Sequence, residues 1–367
     1  MSEPIRVLHI TGAMYPGGYE NFIMNLYENM DRSKIQFDMV VRARKENDYV
    51  PRIEAMGGRV YELPRLTKHP VASLLQLYKL VKRNQYAAVI RHTPNALVTP
   101  QLLVSRMAGA FTICHSHSET DGQKLAHRLG RLLMPMAAKG RFSCSEKAAS
   151  WMYGKNDYTL IHNAINLDKF AYDSCKVELV KEEFPIDGKH VFGYIANLIP
   201  SKNHVFLMDI FSEITRQDPD AVLCCLGEGV ARPDIEAAIR KHHLEDKVFL
   251  TGIRYDPQNF LSAFDVLIFP SIYEGLPLSL IEAQASGVQI LMSDTITDDV
   301  IVTNGLVHKK SLDDSAADWA TDALRLLEHP DADRSCQKEA ITAAGYNIKE
   351  LVSWFTNYIE SIAPKKK

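Results

Sequence analysis

Two glutamates eight residues apart, Glu274 and Glu282, frame a stretch whose residue types suit an anion and hydroxyl groups. The apolar run Val266–Phe269 leads into a turn with Glu274 and Gly275, and Pro277 then opens an apolar helical pattern. Proline suits a first helical turn because the amide hydrogens there have no partner inside the helix. Those free amide hydrogens and the helix dipole favour an anion. The spacing therefore predicts a site for a ligand with phosphate and hydroxyl groups, flanked by two carboxylates.

Four further turns offer contacts for such a ligand. Gly17 and Gly18 follow the first apolar run, and without Cβ atoms their N–H groups can approach phosphate closely. The turn lacks the spacing of known phosphate loops, so a plain strand-to-helix turn is an equal alternative. Lys202 stands at a predicted helix start, where it is unfavourable unless it faces an anion; a solvated lysine is the alternative. Gly227 and Arg254 lie in turns at the carboxyl ends of predicted strands, where open α/β sheets bind ligands.

Two histidines, His115 and His117, end an apolar run in the first half of the chain. Residues two apart in a strand point to the same face of a sheet, so the two imidazoles are predicted to lie side by side. Their spacing brings no third strong ligand into reach, and we therefore predict no metal site. We expect one of the two to face a ligand and the other to be structural.

Short apolar runs alternate with helical patterns in both halves, and these elements must position the residues above. The strands predicted from the apolar runs are 6–10, 36–41, 59–63, 87–90, 111–114, 142–144 and 159–161, then 190–196, 222–226, 248–251, 266–269 and 289–292. Helical periodicity marks segments around 23–30, 71–83, 207–214 and 348–362. Such alternation predicts parallel sheets with helices on both faces.

The domain organisation follows from this α/β pattern. We predict two Rossmann-like, doubly wound domains facing a cleft, with residues 1–170 forming the first and 188–345 the second. Residues 171–187 are predicted to be the linker. A helix at about 346–364 is expected to pack back onto the first domain.

Composition narrows the class of protein. The chain has 367 residues, of which 46% are hydrophobic and 24% charged, as in ordinary globular proteins. No apolar run approaches the roughly 20 residues of a membrane span. The first residues contain no apolar signal core, so we expect a cytoplasmic protein. The six cysteines show no CxxC spacing and are predicted to be reduced.

Charge is divided unevenly along the chain. Residues 1–187 carry 25 Lys and Arg against 19 Asp and Glu, whereas 188–367 carry 17 against 26. The segment 123–141 is basic without an acidic residue and also contains Leu125, Leu129, Leu132 and Leu133. The segment suggests peripheral contact with the inner face of an anionic cell membrane. A buried helix with a basic rim is the alternative. We predict no nucleic-acid partner.

Taken together, these motifs resemble those of retaining glycosyltransferases of family 4, which have the GT-B fold and use nucleotide-sugar donors. The similarity covers nearly the whole chain, and the bacterial capsule and exopolysaccharide branch is the most similar. It is carried by Gly17-Gly18-x-Glu20, the histidine at a strand end, 163–170, 202–204, 226–229 and 270–277. The pair of glutamates eight residues apart is its most specific motif.

The resemblance implies a role for each matching residue. The catalytic residues would be His117, Glu274 and Lys202. The donor would be bound by Gly17, Gly18, Asn197, Lys202, Gly227, Arg254, Glu274, Gly275, Leu276, Leu278, Ser279 and Glu282. Within that set, Glu274 would hold the transferred sugar and Glu282 the ribose. The acceptor side would comprise Glu20, His115 and His117, and His117 is the preferred contact. No metal or other cofactor would be obligatory.

The implied activity is transfer of a sugar from a nucleotide diphosphate, with UDP as the expected nucleotide, to a glycan or lipid-linked acceptor in cell-surface or exopolysaccharide synthesis. One position departs from the family, which usually has an arginine where Asn197 stands. Asparagine brings no charge and no guanidinium fork. A non-catalytic or weakly active nucleotide-sugar-binding partner subunit is therefore the alternative, and an epimerase acting on the donor alone is a third.

Overall fold

In a computed structural model of the chain, the residues described are 3–15, 17–44, 48–117, 124–328, 334 and 337–364. The chain divides into two compact units. The first comprises Met1–Ala164 with Gly345–Lys367, and the second comprises Ile165–Ala344.

The first unit is built on a seven-stranded sheet in which all strands run parallel. Its strands are β1 (Ile5–Ile10), β2 (Ile35–Val41), β3 (Val60–Glu62), β4 (Ala88–Thr93), β5 (Phe111–Ser116), β6 (Gly140–Ser143) and β7 (Thr159–Leu160). Their order is β3-β2-β1-β4-β5-β6-β7. The order reverses between β1 and β4, which makes this the switch point of a doubly wound sheet, where ligands usually bind.

Helices cover both faces of this sheet. They are α1 (Gly18–Glu28), α2 (Val50–Ala55), α3 (Pro70–Asn84), α4 (Thr99–Met107), α5 (Lys124–Ala137), α6 (Glu146–Tyr153) and, from the end of the chain, α15 (Ile348–Ile362). Neighbouring residues of β1 pack into different cores: Val7 joins the cluster with α1 and α15, and Leu8 joins the one with α3. Burial of both faces explains why the neighbouring residues Val7 and Leu8 of this strand are both apolar.

The second unit repeats the plan with six parallel strands in the order β10-β9-β8-β11-β12-β13. These are β8 (His190–Ile195), β9 (Ala221–Leu226), β10 (Val248–Gly252), β11 (Val266–Phe269), β12 (Gln289–Ser293) and β13 (Val307–Lys310). Its helices are α7 (Leu167–Phe170), α8 (Ser174–Glu183), α9 (His204–Gln217), α10 (Arg232–Lys241), α11 (Pro257–Ala263), α12 (Leu278–Ala285), α13 (Ala316–Glu328) and α14 (Lys338–Ala343). The switch point of this sheet lies between β8 and β11.

The structure adds two details that the sequence did not predict. The segment 171–187, predicted as a linker, contains α8 and belongs to the second unit. Strand β13 was missed because Val307-His-Lys-Lys310 has no apolar pattern and pairs only along one side, with β12. The cysteines at 114, 144, 175, 224 and 225 are free, as predicted, although Cys175 is exposed; Cys336 lies outside the described residues.

Candidate functional site

The switch point of the second sheet brings together two loops that carry predicted site residues. One loop follows β8 and leads through Asn197 to Lys202; the other follows β11 and contains Glu274. The backbone N–H of Ile272 donates to the carbonyl of Ser201 over 2.9 Å, which joins the two loops. Residues far apart in sequence therefore meet at the carboxyl edge of the sheet.

Lys202 and Glu274 form an ion pair at this edge. Their side chains are only 16% and 9% exposed, so solvent screens the pair weakly. The other carboxylate oxygen of Glu274 accepts a hydrogen bond from the Ser271 hydroxyl over 2.8 Å. Tyr194 fixes the base of the network, since its hydroxyl donates to the Lys202 carbonyl over 2.8 Å and lies 2.7 Å from the Ser271 hydroxyl. The pair is thus held in place before any ligand arrives.

Helix α12 begins beside Glu274 without a side-chain cap. Pro277 precedes its first residue, Leu278, and both Leu278 and Ser279 are half-buried. Unpaired amide hydrogens at a helix start suit an anion. A Cβ atom added to Gly275 would meet nothing within 4 Å, so packing does not require this glycine and space remains beside its backbone. Leu276, next along the loop, is half-buried.

Glu282 lies one turn further along α12 and is electrostatically unusual. Burial raises the pKa of its carboxyl from the ordinary 4.5 to about 7, while the positive charge of Lys169 acts to lower it. Lys169 belongs to α7, which packs against α12. Lys169 was not among the predicted site residues, although it lies in the 163–170 motif. Glu282 is therefore a half-buried hydrogen-bonding group whose charge depends on what binds it.

Three of the predicted donor contacts have surroundings that the sequence did not reveal. Gly227 has a φ of +143°, and a Cβ there would lie 2.0 Å from the Ala196 carbonyl, so this glycine allows close backbone packing. Arg254 is engaged by two carboxylates, Glu183 at 2.6 and 2.8 Å and Asp256 at 2.9 and 2.8 Å. The hydrogen bonds that its guanidinium donates to Asp256 and Glu183 raise the pKa of that group. Asn197 is exposed.

The switch point of the first sheet carries mainly histidines, and Arg91 of β4 donates to the backbone carbonyls of Ile10 and His92 beside them. His9 is the last residue but one of β1, His92 lies on β4, and His115 lies on β5 directly beside His92 in register. The Nδ1 of His9 lies 2.9 Å from the Nε2 of His92, and the Nδ1 of His92 lies 2.9 Å from the Nε2 of His117. The rings of His115 and His117 are 3.9 Å apart between centroids. These four residues are called the histidine cluster below.

The histidine cluster corrects the prediction that His115 and His117 have no third ligand in reach. One ring nitrogen of each of His92, His115 and His117 lies within 4.8 Å of the other two. His92 and His9 were not predicted, because only the sheet order places β4 between β1 and β5. A signal existed, since each histidine stands near the end of an apolar run.

Burial determines the charge of the cluster. It lowers the pKa of His9 and His117 to about 3, and together with the neighbouring imidazoles it holds the pKa of His92 and His115 well below the ordinary value. The cluster is packed against aromatic rings, including Phe37, 4.1 Å from His9 between centroids, and Phe22, 5.0 Å from His115. His117 is the most accessible member. All four rings are therefore neutral near pH 7.

The predicted Gly17–Gly18 turn forms the start of α1, with Gly17 in extended backbone and no side-chain cap. A Cβ at Gly17 would lie 2.8 Å from the carboxylate of Glu20, whereas one at Gly18 would meet nothing within 4 Å. Burial raises the pKa of Glu20. The open space at Gly18 is compatible with a ligand beside the backbone.

Helix α5 exposes much of its apolar surface. Its exposed apolar side chains are Leu125, Leu129, Leu132, Leu133 and Met136. The expected alternative, a buried helix with a basic rim, is therefore wrong. Arg128 and Lys139 are exposed beside this surface; residue 123 and the side chain of Lys124 lie outside the described residues. No helix among the described residues is both long and apolar enough to cross a bilayer.

Comparisons with known proteins agree with this geometry. A model of the group 1 glycosyl transferases matches residues 177–343, and a model of glycosyltransferase family 4 matches residues 16–169. The putative glycosyltransferase EpsF of Bacillus subtilis is 30% identical over 97% of this chain and 96% of its own length. An Escherichia coli UDP-Gal:alpha-D-GlcNAc-diphosphoundecaprenol alpha-1,3-galactosyltransferase is 25% identical over 82% of each chain. The crystal structure of Anabaena HepE in complex with UDP has a TM-score of 0.79 and 14% identity, and it covers 97% of this chain and 100% of its own.

Proposed function

The chain belongs to the family 4-like glycosyltransferases with the GT-B fold, and from this premise we propose that it transfers a sugar from a UDP-sugar to a glycan or lipid-linked acceptor with retention of configuration. The relative from E. coli, named for UDP-galactose and a diphosphoundecaprenol acceptor, supports this donor and acceptor class. UDP and UDP-glucose complexes of a structural neighbour support the uridine nucleotide. The similarity to EpsF supports a place in exopolysaccharide synthesis.

The observation that carries the proposal is the Lys202–Glu274 pair beside the uncapped start of α12. A diphosphate placed at this helix start would accept hydrogen bonds from the Leu278 and Ser279 amides and attract the Lys202 ammonium. Glu274, released from part of its pairing, would accept hydrogen bonds from hydroxyls of the sugar. Glu282 would accept those of the ribose.

In the proposed reaction the bond between the anomeric carbon and the diphosphate breaks, and the acceptor hydroxyl oxygen bonds to the same face of that carbon. The acceptor proton passes to the departing diphosphate. The protein contributes orientation and preorganised positive charge, which are worth most in a shielded site. We propose that, in the first unit, the Gly17–Gly18 turn contacts the diphosphate and His117 contacts the acceptor. Glu20 and His115 would support His117 on the acceptor side.

UDP release with a panel of UDP-sugars, with and without an undecaprenyl-diphosphate sugar acceptor, tests the proposal. We expect acceptor-dependent release and a product whose anomeric proton coupling by NMR matches that of the donor. An inverted anomer would contradict retention. Conversion of the donor without acceptor would favour an epimerase.

One observation favours a second function, a nucleotide-sugar-binding subunit with little turnover. Asn197 is exposed and neutral where the family usually has arginine, and Lys202 is already paired with Glu274. Tight UDP-sugar binding by calorimetry, without release of UDP under any acceptor condition, would support this second function.

We also propose that α5 docks the enzyme on an anionic membrane, where a lipid-linked acceptor resides. Its exposed leucines would enter the interface while Arg128 and Lys139 contact anionic headgroups. In vesicle flotation, we expect binding to phosphatidylglycerol vesicles but not to phosphatidylcholine vesicles. The double variant Leu129→Gln, Leu132→Gln should lose binding, whereas Leu179→Gln, which changes an exposed leucine of the second unit, should keep it. Equal flotation of both variants would contradict the proposal.

A further inference from the structure

The histidine cluster contains a buried ring nitrogen that makes no hydrogen bond to the described residues. His115 is 1% exposed. Within the described part of the chain, its Nε2 has no hydrogen-bond partner. Leaving a buried polar atom without a partner costs about 1 to 3 kcal/mol, so such atoms in folded proteins usually have a water molecule or an ion as partner. The surroundings of His115 point to the second of these.

The two nearest candidates for an ion's other ligands are the imidazoles of His92 and His117. One ring nitrogen of each of the three residues lies within 4.8 Å of the others. Two nitrogens that both bind one zinc ion at about 2.1 Å are separated by about 3.4 Å in a tetrahedral site. Modest rotations of the three rings would therefore bring them to ligand distance.

We propose that His92, His115 and His117 form a binding site for a divalent first-row transition metal ion, with zinc as the preferred ion. Neutral imidazole nitrogens suit zinc, copper and nickel, whereas magnesium and calcium prefer oxygen ligands. Three histidines leave a fourth coordination position, which a water molecule or a hydroxyl group can take. His117, the most accessible of the three, supplies the path from solvent.

His9 has a separate part in this site as a positioning residue. A histidine that binds a metal through one nitrogen usually donates its other N–H to a nearby acceptor, which fixes the tautomer and the ring orientation. The Nε2 of His92 lies 2.9 Å from the Nδ1 of His9, so it can donate there and leave the Nδ1 of His92 free for the ion. The Nδ1 of His92 is the atom that faces His117.

Binding of the ion forms three nitrogen–metal bonds and releases water from the ion. His92 keeps its proton on Nε2, and the proton that lies between its Nδ1 and the Nε2 of His117 moves to the Nδ1 of His117, so each ring remains neutral. The site lies wholly in the first unit and is measured without donor or acceptor. It shares His115 and His117 with the proposed acceptor contacts, but a failure of metal binding and a failure of sugar transfer are measured separately.

Titration of the full-length, chelator-dialysed chain with Co²⁺ tests the site. Tetrahedral cobalt absorbs visible light strongly, whereas octahedral cobalt in water absorbs it only weakly. We expect one equivalent of Co²⁺ to bind and one equivalent of Zn²⁺ to displace it, with metal content checked by elemental analysis. Zinc should also raise the melting temperature of the wild-type chain, since it binds the folded state.

The variants His115→Gln and His117→Gln should each reduce the affinity at least a hundredfold and abolish the cobalt bands. His9→Gln, which removes only the partner of His92, should reduce affinity by about tenfold to a hundredfold. The control is His242→Gln in the second unit, where His242 pairs with Asp209 beside His243. Adventitious metal would bind at the adjacent surface histidines His242 and His243. The variant His242→Gln should therefore retain the cobalt bands of the proposed site.

Two results would overturn the proposal: no tetrahedral cobalt spectrum in the wild type, or a spectrum that survives in His117→Gln but disappears in His242→Gln. The partly exposed position of His117 makes its variant the decisive one if the replacement of buried His115 prevents folding. Circular dichroism and thermal unfolding of each metal-free variant establish that it is folded before titration.

Discussion

The two switch points of this chain occupy equivalent places in two sheets of the same design, yet their chemistry differs. At the second, between β8 and β11, an ion pair, a serine hydroxyl and an uncapped helix start surround Glu274. At the first, between β1 and β4, four imidazoles pack among aromatic rings. Topology fixes where a site forms, and the residues at the strand ends decide its chemistry.

Burial shifts the pKa values of the titrating groups at the two switch points in opposite directions. It lowers the pKa of the imidazoles and raises the pKa of the Glu282 carboxyl, so both become less charged. The Lys202–Glu274 pair, by contrast, keeps separated charges under partial burial, because each partner stabilises the other. The second switch point is therefore prepared for a charged ligand, and the first for a ligand that binds neutral nitrogen atoms.

The largest effect should come from removing the positive charge at the second switch point. Lys202→Ala removes a preorganised cation from the departing diphosphate and should reduce transfer by about a hundredfold to a thousandfold. Steady-state UDP release measures it. Lys189→Ala, which breaks the exposed pair of Lys189 with Asp220 in the same unit, is the matched control and should leave activity unchanged. Equal activity of the two variants would remove Lys202 from the site.

The next prediction concerns the glycines of the two regions. Gly227→Ala places a Cβ 2.0 Å from the Ala196 carbonyl at a φ of +143°, and it should destabilise the fold by about 3 kcal/mol. Gly18→Ala at the first switch point meets nothing within 4 Å and should leave the stability within about 0.5 kcal/mol. Urea unfolding of both variants measures the difference. A stable Gly227→Ala variant would contradict the close backbone packing described here.

A smaller effect is expected from adding charge at Asn197. Asn197→Arg supplies a guanidinium in the loop that carries Lys202 and should increase turnover by about tenfold, since a hydrogen bond to a charged group contributes about 1.5 to 3 kcal/mol. Asn197→Ala serves as the control, because it removes the amide without adding charge, and turnover should not rise. If neither variant turns over any donor while both bind UDP, the binding-subunit function is favoured.

The smallest effect is a dependence of stability on pH caused by Glu282. Its pKa is about 7 in the folded chain and 4.5 in the unfolded chain. The folded state therefore binds more protons between these values, and stability falls as pH rises from 4.5 through 7. In Glu282→Gln this contribution disappears, and the stability lost between pH 5 and 7.5 should be smaller by about 1 to 2 kcal/mol than in the wild type.

Urea midpoints at both pH values measure this difference, with Glu245→Gln, a change in the loop before β10, as the control. An identical pH dependence of Glu282→Gln and the wild type would show that the carboxyl is ionised in the folded chain.

Much of the fold was predictable, because its signals are local. Apolar runs marked twelve of the strands, including Val266–Phe269, and helical periodicity marked α1, α3, α9 and α15. The strand missed, β13, has the polar sequence of an edge, where only one side is paired. The GT-B fold inferred from the resemblance is confirmed by the structural neighbours.

The candidate site was predictable only in part. The sequence placed Lys202, Glu274 and Glu282 near a helix start, since strand, turn and helix follow one another there in the chain. It did not reveal that Arg254 is occupied by Glu183, which lies 71 residues away. It also did not reveal the environment of Glu282, whose pKa depends on burial rather than on neighbouring residues in the chain.

The sequence by itself determined the fold class, the family and the motif with Glu274 and Glu282, because each rests on residues close together along the chain. Only the tertiary structure decided that His9, His92, His115 and His117 form one cluster. The physical reason is sheet order: β1, β4 and β5 become neighbours through crossover connections, and no local pattern specifies which strands will pair. Burial then removes the charge of the histidines and gives the two similar folds different chemistry.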